Sequence, residues 1–133
     1  MKKVAISCEE PSLDALVDPR FGRAAGFLIV DTEDMSFEYI DNGATQTMAR
    51  GAGIQAAETV ARSGAKTLLT GFVGPNAFKT LEGAGVEIVQ NMNNMTAKEA
   101  VERFCSGQFE VAAAPNPNRG GGGGGGGRGG RRL

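Results

Sequence analysis

One stretch constrains the fold more than any other. Residues 65–70, Ala-Lys-Thr-Leu-Leu-Thr, make a mostly apolar segment of strand length, and residues 76–82 carry apolar side chains at helical spacing. Only Gly71-Phe72-Val73-Gly74-Pro75 lies between them. Gly71 and Gly74 let the backbone turn where a side chain restricts it, and Pro75 suits the first turn of a helix, where its missing N–H removes nothing. A strand that runs into a helix reaches its next strand through that helix, and such neighbours are parallel. The chain is therefore read as α/β. The same junction leaves several amides unpaired at the helix start, above the carboxyl end of the strand, and this makes a seat for an anion.

The flanking segments fit that frame. Residues 3–8 read as a first strand, residues 26–31 and 36–41 as two β-rich runs joined by a hairpin at 32–35, and residues 86–89 as a short last strand. Residues 12–24 follow neither period, contain Pro19 and Gly22, and set Arg20 and Arg23 around Phe21, which reads as a long functional loop. Gly51-Ala52-Gly53 opens an Ala-rich helix ending at Arg62, with Ile54, Ala57, Val60 and Ala61 on one stripe. A second helix follows the Gly74 turn to about Ala84. Thr96-Ala97-Lys98-Glu99 has the capping-box pattern and starts a third helix, which runs to Cys105 and stops near Gly107. The order β, loop, β, β, α, β, α, β, α predicts a mixed, mostly parallel five-stranded sheet with helices on both faces, in one domain over residues 1–113. The loop after the first strand, the Gly51 helix start and the Gly74 turn then gather at one rim of the sheet, where α/β folds bind ligands.

Composition narrows the chemistry. The chain has no histidine, which excludes His-based triads and His-ligated metals, and its two cysteines, Cys8 and Cys105, cannot supply a four-thiolate site. No GxSxG, P-loop or Cys-His pair is present, and Asp31 and Asp41 at the ends of the two β-rich runs have no third acid beside them. The expectation is a non-enzymatic protein. No apolar run approaches the roughly 20 residues that span a bilayer, and the N-terminus shows no signal-cleavage pattern, so a cytoplasmic protein without a membrane partner is expected. Charge is distributed unevenly: residues 119–133 carry four arginines and no acid, whereas residues 1–118 hold ten bases against fifteen acids. Residues 114–133, with eight glycines after Arg119, are expected to form a disordered tail. Its arginines suit phosphate, but it lacks the aromatics that stack on bases, so nucleic acid is not the expected partner, and a solubilising or docking role fits equally.

The candidate binding constellation is Arg20, Phe21, Gly22, Arg23, Arg50, Gly51, Gly53, Gly74, Pro75 and Asn76. Three arginines in irregular segments and two glycine-opened helices make a positive concavity suited to a bulky anion, and the guanidinium fork offers several donors without losing its charge. The competing reading is that these arginines pair with Asp14, Asp18 or Asp31 and only pin the loop. Met48, Met92 and Met95 flank loops and are soft enough to touch copper or a sulfide, although methionines more often fill gaps. Cys8 is expected to be a small buried hydrophobe rather than a thiolate ligand.

Val17-Asp18-Pro19-Arg20-Phe21-Gly22-Arg23-Ala24, Gly51-Ala52-Gly53-Ile54-Gln55-Ala56-Ala57 and Thr70-Gly71-Phe72-Val73-Gly74-Pro75-Asn76-Ala77-Phe78 occur in this order and spacing. With them the chain resembles the dinitrogenase iron-molybdenum cofactor biosynthesis family over about residues 1–112, and within it the small stand-alone members, including the orange proteins. The resemblance implies a ribonuclease H-like fold without nuclease activity and the binding or carriage of a molybdenum-containing metal-sulfur cluster. In orange proteins this is a molybdenum-copper sulfide anion held without covalent attachment. Some nitrogenase-linked relatives anchor their cofactor through a histidine; its absence here favours a sulfide cluster held by charge. The alternative reading is a protein-interaction module that docks on a partner such as a cell-division or cofactor-assembly ATPase.

Overall fold

The computed structural model describes residues 3–43 and 51–113. Five strands, β1 (Lys3–Cys8), β2 (Gly26–Asp31), β3 (Phe37–Asp41), β4 (Thr67–Leu69) and β5 (Glu87–Val89), form one sheet in the order β3-β2-β1-β4-β5. Among the described residues three helices are complete, α1 (Ala52–Arg62), α2 (Pro75–Gly83) and α3 (Ala97–Cys105), and a 3₁₀ turn spans Phe21–Arg23. All five expected strands and all three helices are present, with the shortest strands trimmed at their ends.

The expectation of a mostly parallel sheet needs correction. β1 pairs parallel with β4, and β4 with β5, but β1–β2 and β2–β3 are antiparallel. The sheet is half parallel and half antiparallel because the β2–β3 hairpin attaches directly to β1, whereas β4 and β5 are reached through helices. Met35, at φ 62°, turns that hairpin.

Alternation along β1 divides the core. Ala5 points to one face with Phe27, Ile29, Leu68 and Ile88, where α1 and α2 pack through Ala56, Ala57, Val60, Phe78 and Leu81. Val4 and Ile6 point to the other with Leu28, Val30, Leu69 and Val89, covered by α3 through Ala97, Ala100, Val101 and Phe104. Helices thus lie on both faces, as expected. The helix stripe differs in phase: α1 buries Ala52, Ala56, Ala57 and Val60, and Ile54 stands 39% exposed at its first turn. Small residues, rather than the one large aliphatic, face the sheet and let the helix lie close to α2.

The capping box forms as read. Thr96 Oγ1 accepts from the Glu99 amide at 3.1 Å, and Glu99 Oε1 accepts from the Thr96 amide at 2.9 Å. Residues 12–24 are more ordered than a simple loop. The segment makes isolated bridges Cys8–Val17, Leu16–Thr96 and Arg20–Phe72, so it is stitched to β1, to the start of α3 and to the turn before α2. Arg50, Met48 and residues 114–133 lie outside the described residues.

Candidate functional site

The registers fix one rim. Cys8 lies opposite Gly26, which lies opposite Asp41, and Ile6 aligns with Leu69 and Leu69 with Val89, so the loop after β1, the approach to α1 and the β4–α2 turn leave the sheet from the same end. At that rim the chain encloses an open cavity of about 340 Å³ lined by Phe21, Gly22, Arg23, Gly51 to Ile54 and Gly74 to Ala77.

Two helices begin on this cavity. Gly51, with φ 77°, is the N-cap of α1, and Gly74 is the N-cap of α2, with Pro75 in its first turn. Neither glycine has a side-chain oxygen to cap the helix. The backbone ladders start only at Gln55 N–H to Gly51 O and Phe78 N–H to Gly74 O, both 2.9 Å. The earlier amides, at Gly53, Ile54, Asn76 and Ala77, have no intrahelical acceptor, and the positive ends of both dipoles meet at the cavity.

The third wall is the Phe21–Arg23 turn. A Cβ at Gly22 would stand 2.9 Å from Gly53 Cα, so this turn and the start of α1 touch backbone to backbone. A Cβ at Gly71 would stand 2.5 Å from Pro19 Cα, and Phe72 donates its amide to Pro19 O at 3.0 Å. The turn is therefore clamped to the approaches of both helices. Phe21, 1% exposed, packs on Phe27 with ring centroids 5.4 Å apart and roots the turn in the core.

Gly74 behaves differently. A Cβ there would meet nothing within 4 Å, and its φ of −73° and ψ of 168° are open to any residue. Neither packing nor backbone geometry asks for glycine. Gly74 is exposed and borders the cavity.

Of the sequence-predicted residues, Phe21, Gly22, Arg23, Gly51, Gly53, Gly74, Pro75 and Asn76 line the cavity together. Arg20 does not: its Nε lies 3.5 Å from Asp18 Oδ1, and its own amide donates to the same oxygen at 3.0 Å. For Arg20, the pairing with Asp18 weighed from sequence is the one the structure shows. Sequence reasoning missed Ala52, Ile54 and Ala77 in the lining, and missed Gln90, whose Oε1 accepts from the Val73 amide at 3.2 Å and steadies the turn into Gly74. Gln90 follows β5 with nothing local to mark it. Ser7 and Thr70, fully buried, share a 2.7 Å hydroxyl hydrogen bond beneath the rim, and Ser7 Oγ donates to Asp18 O at 2.8 Å.

Among the described residues, no carboxylate, thiol or thioether lines the cavity. Met92 is buried in the opposite core, and Met95 packs against it. Cys8 is buried there too, and desolvation first, with Asp18 and Glu9 adding to it, pushes its thiol up to about 11. It is the small buried hydrophobe expected. Among the described residues no group of three or more His, Cys, Asp or Glu side chains is placed to hold a metal ion, and no helix is long and apolar enough to cross a membrane.

Backbone amides with Arg23 beside them can hold an anion by charge and hydrogen bonding, without a covalent or coordinate bond from a side chain. The chain is similar to the apo form of the orange protein from Desulfovibrio gigas, with 54% identity over 88% of this chain and 98% of that one, and a TM-score of 0.85. It is also similar to a protein from Thermotoga described as a NifB protein, with 35% identity over 84% of this chain and 93% of that one, and a TM-score of 0.71. A protein from Methanocaldococcus jannaschii described as a dinitrogenase shares the fold alone, at 16% identity and a TM-score of 0.62 over 85% of this chain and 96% of that one. Comparison with curated protein sequences returned no match. The model of the dinitrogenase iron-molybdenum cofactor family matches residues 2–107, which takes in the Phe21–Arg23 turn and both glycine-opened helices, and the chain belongs to that family.

Proposed function

We propose that this protein binds and carries a metal-sulfur anion, a molybdenum-copper sulfide cluster held non-covalently, and that it is not an enzyme. The cavity is the seat. The amides at the starts of α1 and α2 bond the outer sulfides, Arg23 adds a formal positive charge, and Phe21 and Ile54 supply apolar surface beside them. Arg50, adjacent to Gly51 in sequence, joins the set on sequence grounds alone.

The observation that carries the reading is Gly74. A cradle floor that stays open where a side chain would fit without strain, at a helix start where Ser, Thr or Asp would cap better, reserves space for something from outside the chain. Among the described residues the lining holds no soft or acidic ligand, which suits a cargo whose metals arrive already coordinated. A thiometalate anion meets that requirement, because sulfide satisfies the metals and leaves a negative shell for amides to recognise.

The test is reconstitution. Purified protein is mixed with tetrathiomolybdate and a copper salt, desalted, and examined by visible absorption and metal analysis. Charge-transfer bands that elute with the protein, together with molybdenum and copper, are expected. A colourless, metal-free protein overturns the proposal.

A further inference from the structure

We propose that Asp18 sets the charge of the anion seat by holding Arg20 as its own counter-ion, so that Arg20 is a neutraliser and not a ligand. The inference rests on the reading of the cavity as an anion seat and adds to it a positioning residue outside the lining.

Asp18 is the anchor of the segment that forms the third wall. Its carboxylate is 3% exposed, and its backbone is tied to β1 in both directions, since its amide donates to Ser7 O at 2.8 Å and its carbonyl accepts from Ser7 Oγ at 2.8 Å. Oδ1 accepts from the Arg20 amide at 3.0 Å, an Asx-type turn that sets the chain direction two residues before Gly22. A carboxylate this buried needs a compensating charge, and Arg20 Nε at 3.5 Å supplies it. The guanidinium belongs to a side chain that is 58% exposed and lies outside the cavity lining. Arg20 and Arg23 are three residues apart, yet only Arg23 reaches the cavity. Asp18 therefore does two things: it shapes the turn that delivers Gly22 and Arg23, and it withholds one positive charge from a seat that a carrier must later empty.

The two effects separate in a charge cycle. Asp18→Asn keeps an acceptor oxygen for the Arg20 amide while removing the charge and releasing the guanidinium. Arg20→Gln, on a mostly exposed side chain, leaves the Asp18 charge uncompensated near the seat. The double variant removes the pair together. Retention of molybdenum and copper after reconstitution with tetrathiomolybdate and a copper salt is measured for all four proteins by dilution series, at about 50 mM and about 500 mM salt, with circular dichroism confirming the fold.

At low salt, Arg20→Gln is expected to weaken retention about fivefold, Asp18→Asn to strengthen it about fivefold, and the double variant to return within about twofold of the starting protein, with all differences shrinking at high salt. A purely structural role for Asp18 predicts no gain in any variant and no salt dependence. A double variant as weak as Arg20→Gln means that Arg20 touches the cargo directly and overturns the proposal, as does an Asp18→Asn protein that is folded but no tighter than the starting protein. If the starting protein retains neither metal, the seat itself is wrong and this inference falls with it. If it retains both and only the ranking fails, the seat stands and the role of Asp18 does not.

Discussion

Replacing Gly74 with valine separates a site from a scaffold. At this position φ is −73° and ψ 168°, a conformation that residues before proline favour in any case, so valine adopts it without strain. Its Cβ would meet no atom within 4 Å. Two small terms then oppose each other. Removing a glycine lowers the entropy of the unfolded chain and stabilises by about 0.4–1 kcal/mol, whereas valine is a poorer N-cap than glycine by a comparable amount. The net change is within about 1 kcal/mol, or about 3–6 °C in Tm for a chain of this size. Binding responds differently, because the valine methyls occupy the floor of a cavity of only about 340 Å³ and hold the cargo away from the Asn76 and Ala77 amides. Losing two charge-assisted hydrogen bonds at about 1.5–3 kcal/mol each weakens retention at least about a hundredfold. Thermal melting followed by circular dichroism, paired with metal analysis after reconstitution and desalting, reads both quantities. A variant that binds as the starting protein does, or one that melts more than about 8 °C lower, refutes the reasoning.

Other positions give opposite signatures. Gly22→Ala forces a methyl to 2.9 Å from Gly53 Cα, where backbone on both sides cannot yield easily, and is expected to lose about 1–3 kcal/mol as well as binding; an unchanged denaturation midpoint refutes the close packing. Thr96→Ala removes an oxygen that accepts from the Glu99 amide at 3.1 Å and is expected to cost about 1 kcal/mol in urea unfolding while leaving metal retention unchanged, since α3 lies on the far face; loss of retention contradicts that separation. Cys8 gives a pH signature. Its thiol is pushed up to about 11 from an ordinary 9.0 by burial, so the folded state holds a proton that the unfolded chain gives up. The associated stability is complete below about pH 9 and is lost as pH rises from there to about 11, a fall of about 2–3 kcal/mol. The fall should be absent in Cys8→Ala, and equal slopes in the two proteins refute the assignment.

Much of the fold is written locally. The 65–82 stretch specifies a strand, a turn and a helix in neighbouring residues, and the Thr96–Glu99 box marks a helix start by a hydrogen-bond pattern three residues long. Both are found where the sequence places them because short-range sterics and capping determine them before any tertiary contact forms. The glycines at 22, 51, 53 and 74 were legible as a candidate site for the same reason, since each stands out against its local context, and all four line the cavity.

What stayed hidden depends on distance. The sequence does not say that Ile54 faces outward, because the Ala-rich helix carries small residues on more than one side and only packing against α2 and the sheet selects among them. It left Arg20 equally suited to cargo and to Asp18, and the choice was made by burial of the Asp18 carboxylate beside β1, which no spacing of residues reports. Gln90 reaches the β4–α2 turn only because β5 lies next to β4 in the sheet, seventeen residues removed along the chain. Sequence by itself determined the α/β class, the helix starts and the glycine-rich rim, all consequences of short-range backbone chemistry. Tertiary structure decided the half-antiparallel pairing, the face each helix presents and which arginine meets the cavity, because each depends on what a residue is buried against.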